Sequence, residues 1–133
     1  NWQTGEKKLL KDKFSRECLF FVSGDGFTWD TQDREMDIKS ALNGWKKAKE
    51  LILNKEIRFI LLDEINIALK YNYLDINEVV TFLINKKPLS THVVLTGRSA
   101  NQKLLDISDL ATEMKLIKHP FKKGIKAQPG IEF

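Results

Sequence analysis

A single cysteine in 133 residues excludes an intrachain disulfide. Cys18 stands inside the apolar run CLFFV, where a buried inert thiol is a simpler reading than a nucleophile or a ligand. A reducing compartment fits that usage. Long hydrophobic stretches are also missing: runs such as Cys18 to Val22 are far too short to cross a bilayer, and the first residues do not have the form of a signal peptide. The expectation is a soluble, cytoplasmic protein with no membrane partner. Charge of one sign is scarce as well. Lysine and arginine exceed the acids by 22 to 18, and they are scattered through GEKKLLKDK, WKKAK, NKK and FKK rather than gathered in one stripe. Such clusters are most often solvated helix faces or loop tips, which argues against a polynucleotide partner and leaves room for a small polyanion. His92 and His119 belong to no Cys/His cluster of metal-ligand spacing, which excludes zinc, and no nucleophile stands with a base.

What is present is an alternation of apolar clusters and helical patterns over one domain's length. CLFFVS (Cys18 to Ser23) reads as a buried strand, and DREMDIKSALNGWKKAKELILN as an amphipathic helix. In that helix Ile38, Leu42, Trp45, Lys49 and Ile52 recur at spacings of three and four, with Asp33 and Glu35 suited to its positive N-terminus. IRFILLDE is a hydrophobic strand that stops at two carboxylates. DINEVVTFLINKKP is a helix capped by Asp75, HVVLTGR a further strand, NQKLLDISDLA a short helix and EMKLIKH (Glu113 to His119) a last strand. The order predicts an α/β fold, a mostly parallel sheet flanked by helices on both faces, formed by residues 1–133 as one domain.

In such sheets ligands bind at the carboxyl ends of the strands. Three candidates fall there: the loop GDGFTWDTQ (Gly24 to Gln32), Asp63 with Glu64, and Gly97 with Arg98. Four apolar residues followed by Asp-Glu have the form of a Walker B strand, whose acid binds or orients Mg2+ beside nucleotide phosphates; a strand ending in a solvated acidic turn looks the same. Arg98 can grip phosphate oxygens with two N–H groups or simply pair with a surface acid. A Walker B calls for G-x-x-x-x-G-K-[ST], yet no glycine here is followed by lysine. Either the nucleotide reading fails or the phosphate loop precedes residue 1, and a chain opening on Asn1 rather than methionine is compatible with the second.

GDGFTWDTQDRE, LLDEINIAL, HVVLTGRSA and DLATEMKLIKHPFKKGIKAQPGIEF, with Trp2, Gly5 and Glu6 ahead of them, together resemble the ATP:corrinoid adenosyltransferases, the cob(I)alamin adenosyltransferase family of P-loop NTPase, RecA-like fold. The match runs in order over almost the whole chain. It implies transfer of the 5'-deoxyadenosyl group of ATP to the Co(I) of a reduced corrinoid, either cob(I)alamin or cob(I)yrinic acid a,c-diamide, with release of triphosphate. It also implies Mg2+, a homodimer in the cytoplasm, and an electron donor such as a flavoprotein. By the same resemblance Phe27 and Trp29 press on the lower face of the corrinoid and deny cobalt its axial ligand, which eases reduction. Glu64 and Asp63 are the metal candidates and Arg98 a phosphate contact. Thr31, Gln32 and Arg34 shape the corrinoid loop or cap the helix that follows. The tail Lys126 to Phe133 is either an arm packed on the domain or a ligand contact. The family's P-loop strand and helix should lie before residue 1. The alternative is a corrinoid- or ATP-sensing module of the same fold that lacks a P-loop; a nucleic-acid-dependent ATPase would need a basic groove.

Overall fold

A computed structural model describes residues 5–23 and 34–128. The chain divides into two compact units, Ser23–Ala111 and the pair of segments Asn1–Val22 and Thr112–Phe133.

The unit Ser23–Ala111 carries the sheet. Its strands β1 (Phe59–Leu62) and β2 (His92–Leu95) pair in parallel, Phe59 opposite His92 and Leu62 opposite Leu95. Parallel strands need a crossover, and two helices supply it: α3 (Ile65–Lys70) and α4 (Ile76–Lys86). The long helix α2 (Arg34–Leu53) precedes β1, and the short α5 (Gln102–Ile107) follows β2. Period-two alternation divides the strands between two environments. Ile60 is buried and Leu62, Val93 and Leu95 are half-buried against the core, while Phe59, Leu61, His92 and Val94 are exposed. The core is completed by Trp45, Ala48 and Ile52 of α2, Ile65 and Leu69 of α3, Leu74 between α3 and α4, Val79 and Leu83 of α4, and Leu104 of α5.

Local signals set most of these boundaries. Asp75 accepts a hydrogen bond from the Asn77 N–H at 2.8 Å, and Asn101 accepts from the Lys103 N–H at 3.0 Å, each satisfying a donor left over at a helix N-terminus. Both helices start one residue after the cap. In α2 the buried stripe runs through Trp45, Ala48 and Ile52, and Leu42, expected on that stripe, is exposed. The 3.6-residue turn carries the buried line from Trp45 back to the half-buried Ala41 instead.

Two expected strands are absent. Residues 18–23 and 113–119 have no regular structure, and Leu19, Phe21, Val22, Met114, Leu116 and Ile117 are all exposed. Among the described residues the sheet therefore has two strands rather than four. An apolar run states that burial would be favourable, but a strand exists only where a neighbouring backbone supplies its ladder. Cys18, expected to be buried, is a free thiol and only half-buried. In this second unit, α1 (Gly5–Lys13) leads into a turn in which the Cys18 N–H donates to the Phe14 carbonyl at 2.7 Å. A 3-10 turn (Pro120–Lys123) is opened by His119, whose Nδ1 accepts from the Phe121 N–H, and closed by Gly124 at φ 75°.

Candidate functional site

The parallel register that sets Leu62 opposite Leu95 brings the next residues of both strands together, Asp63 and Glu64 on one side and Thr96 and Gly97 on the other. Backbone pairing continues one step past the strands, the Thr96 N–H donating to the Leu62 carbonyl at 3.2 Å. There the side chains take over. The Thr96 hydroxyl donates to Asp63 Oδ1 at 2.6 Å and accepts from the Glu64 N–H at 2.9 Å. One hydroxyl thus fixes both the first carboxylate and the backbone of the second.

Glu64 occupies the left-handed region at φ 58°, uncommon for a residue with a Cβ, and as the N-cap of α3 it turns the chain from the end of β1 into the helix, with only Asp63 between it and the strand. Such a conformation persists where its surroundings hold it, and the Thr96 hydroxyl is one of those restraints. A second comes from Asn66. Its backbone N–H donates to the Thr96 carbonyl, and its side-chain Nδ2 donates to the Gly97 carbonyl, both at 3.2 Å. Asn66 is 5 % exposed, and its Oδ1 is buried with no hydrogen-bond partner. Gly97 lies at φ 119°, and a Cβ there would sit 3.0 Å from Asn66 Cβ, 3.2 Å from Glu64 Oε2 and 3.3 Å from Glu64 Cα. Only glycine lets the two strand ends approach this closely.

The carboxylates of Asp63 and Glu64 are exposed. No group of three or more His, Cys, Asp or Glu gathers among the described residues. Two hard oxygen donors, one steadied by Thr96, suit Mg2+, which binds one or two carboxylates and fills its remaining positions with water and phosphate oxygens. Arg98 is exposed on the same turn, and no ion pair joins it to either carboxylate among the described residues.

Arg34, the first residue of α2, lies elsewhere in the unit. Its Nη2 donates to the Tyr71 carbonyl at 3.3 Å, and its Cζ stands 5.5 Å from the centre of the Tyr73 ring. Tyr73 donates its hydroxyl to Asp37 Oδ2 at 3.3 Å and stacks on Tyr71 with ring centres 5.8 Å apart. Burial and the Asp37 carboxylate both hold the Tyr73 phenol above its ordinary pKa. Phe27, Trp29, Thr31 and Gln32 lie outside the described residues.

Sequence reasoning singled out Asp63, Glu64 and Arg98 but assigned no role to Thr96, Asn66, Tyr71 or Tyr73. For Thr96 a signal existed, since a hydroxyl one residue past a parallel strand falls beside whatever ends its neighbour. For Tyr71 and Tyr73 there was none, because their contacts with Arg34 span 37 and 39 positions.

The family described as ATP:corrinoid adenosyltransferase BtuR/CobO/CobP matches residues 1–133. A corrinoid adenosyltransferase of Sinorhizobium is 56 % identical over 130 residues, covering 98 % of this chain and 61 % of the relative. One of Pseudomonas aeruginosa is 45 % identical over 98 % of this chain and 63 % of its own length. That of Escherichia coli K12 is 37 % identical over 99 % and 65 %. The chain thus spans somewhat under two thirds of the curated relatives it matches. With a whole-chain family match and identities of this size, the chain belongs to the ATP:corrinoid adenosyltransferase family.

Proposed function

We propose that the full-length protein transfers the 5'-deoxyadenosyl group of ATP to the Co(I) centre of a reduced corrinoid and releases triphosphate. The observation that carries this reading is the family match over every residue of the chain. The strand-end arrangement of Asp63, Glu64, Thr96 and Gly97 agrees with it, because such ends are where α/β sheets bind ligands. No observation favours the sensing module, and the relatives carry the enzyme's name.

Cobalt in the Co(I) state supplies the electron pair that forms the Co–C bond. The bond between the 5'-carbon and its oxygen breaks, and the triphosphate leaves with the bonding electrons. No proton is transferred in this step, so the chain needs no general base. Its tasks are in-line placement of the reactants and stabilisation of the departing charge. Bound Mg2+ would neutralise charge on the triphosphate, with Glu64 as the principal carboxylate and Asp63 as the second. Thr96 would keep Asp63 oriented, and Arg98 would engage phosphate oxygens. Phe27 and Trp29 would exclude water and the axial ligand from the lower face of the corrinoid, with Thr31, Gln32 and Arg34 shaping the loop around it. A P-loop strand and helix ahead of residue 1 would complete the ATP site on a P-loop NTPase, RecA-like sheet. A homodimer in the cytoplasm, served by an electron donor such as a flavoprotein, completes the proposal. Among the described residues no helix is long and apolar enough to cross a membrane.

The test is direct. Full-length protein with MgATP and chemically reduced corrinoid should form the Co–C bond, seen in the visible spectrum, with one triphosphate per turnover. Glu64→Gln should lower Mg2+-dependent turnover by about 10²-fold or more. Absence of adenosylated product from the wild-type protein would refute the assignment, and unchanged turnover in Glu64→Gln would remove that residue from the site.

A further inference from the structure

Arg34 is held more firmly than an exposed arginine needs to be. One N–H group is committed to the Tyr71 carbonyl, the guanidinium lies against the Tyr73 ring, and Asp37, one turn along α2, accepts the Tyr73 hydroxyl. Arginine carries five donors in a rigid plane, so fixing one edge and one face orients the rest of that plane. The Tyr71–Tyr73 turn is itself built for this approach: Asn72 takes a left-handed φ of 56°, and the Tyr73 N–H closes onto the Ala68 carbonyl at 2.9 Å. Long surface side chains lose rotamer freedom when fixed and gain little from exposed ion pairs, which makes this twofold restraint, with Tyr73 itself tied to Asp37, hard to explain as surface packing.

The turn has a second connection. It caps α3, and Glu64 opens the same helix, so one rigid element about 9 Å long joins the metal candidate to the residues that hold Arg34. We propose that Tyr73, with Tyr71, is a positioning residue that fixes Arg34 for the carboxamide and carboxylate periphery of the corrinoid, in register with the phosphate end of the site. The inference rests on the adenosyltransferase reading above. Its chemistry is simple, since the corrinoid rim offers carbonyl and carboxylate acceptors and an oriented guanidinium meets them with paired N–H groups.

The experiment is a double-mutant cycle on the full-length protein, with KM for corrinoid and KM for ATP measured separately. Tyr73→Leu removes both the ring face and the hydroxyl, and should raise the corrinoid KM by about 5-fold, the scale of a partly desolvated cation–π contact. The ATP KM and the kcat at saturating corrinoid should stay within about twofold. Tyr73→Phe, which retains the ring, should fall between wild type and Tyr73→Leu. With Arg34→Ala already in place, Tyr73→Leu should add nothing to the corrinoid KM. Should Tyr73→Leu fold poorly, Tyr73→Phe in the presence and absence of Arg34→Ala gives the same comparison. Additive effects, an unchanged corrinoid KM, or both KM values rising together would overturn the positioning role. Wild-type protein that transfers no adenosyl group would overturn the underlying reading and this inference with it, and the wild type alone shows that failure.

Discussion

Replacing Gly97 by alanine tests the close approach on which the site depends. The backbone there sits at φ 119°, outside the left-handed well that L-residues visit and inside territory that is nearly glycine's own, at a cost of about 1–3 kcal/mol for any Cβ. Contact adds to this. The new methyl would lie 3.0 Å from Asn66 Cβ and 3.3 Å from Glu64 Cα, and both neighbours are held by hydrogen bonds to the facing strand end. Overpacking of this kind costs about 1–3 kcal/mol more. If the surroundings stay rigid, the sum is about 2–6 kcal/mol. If they yield, the loss of stability shrinks, but Thr96 is drawn from Asp63 and Glu64, and turnover falls instead. Gly124→Ala is the control, because φ is 75° and nothing lies within 4 Å of the added Cβ, leaving a backbone term of about 1–2 kcal/mol. Urea unfolding followed by circular dichroism gives both values from the midpoint and slope. A Gly97→Ala protein that is no less stable than Gly124→Ala and fully active would refute the close approach of the two strand ends.

Thr96→Val keeps the shape of the side chain and removes two hydrogen bonds at once, so stability should fall by about 1–2 kcal/mol and Mg2+-dependent turnover should drop, while Thr96→Ser should restore most of both. Glu78 accepts from Lys49 Nζ and from the Trp45 indole N–H, at 2.6 and 3.0 Å, and the Lys49 bond holds its carboxyl below the ordinary value against the opposing effect of burial. A depressed folded-state pKa contributes stability above the unfolded value, about 4.3, that is lost as pH falls through the folded one. Urea midpoints recorded from about pH 7 to about pH 3 should therefore fall less steeply for Glu78→Gln than for wild type, and equal slopes would refute the linkage. Trp29→Ala should impair the reaction from Co(II) corrinoid far more than the reaction from Co(I). Equal impairment, relieved by saturating corrinoid, would reduce that ring to binding surface.

Helices were legible where the signal was local. Asp75 and Asn101 cap the helices they were expected to start, and the long α2 extends over nearly the stretch that its three-and-four spacing marks. The cap bond is made within two residues, so the sequence carries it whole. Strands were legible only in part. FILL and HVVL pair because each supplies the other's ladder, whereas CLFFVS, apolar at five of six positions, and EMKLIKH, apolar at three of seven, have no strand partner among the described residues.

By itself the sequence determined the family, the position of two carboxylates at a strand end, and the helices with their caps, because each rests on residue identity or on contacts a few positions apart. Only the tertiary structure decided which distant residues serve those carboxylates and which hold Arg34. Thr96 reaches Asp63 across 33 positions, Asn66 reaches Gly97 across 31, and Arg34 reaches the Tyr71 carbonyl across 37. The parallel pairing of β1 and β2 sets the first two contacts, and the meeting of the start of α2 with the turn after α3 sets the third. The pattern predicts a parallel sheet, but the neighbour and register of each strand and the meeting of Arg34 with Tyr71 are selected by packing between distant segments that local preference does not encode.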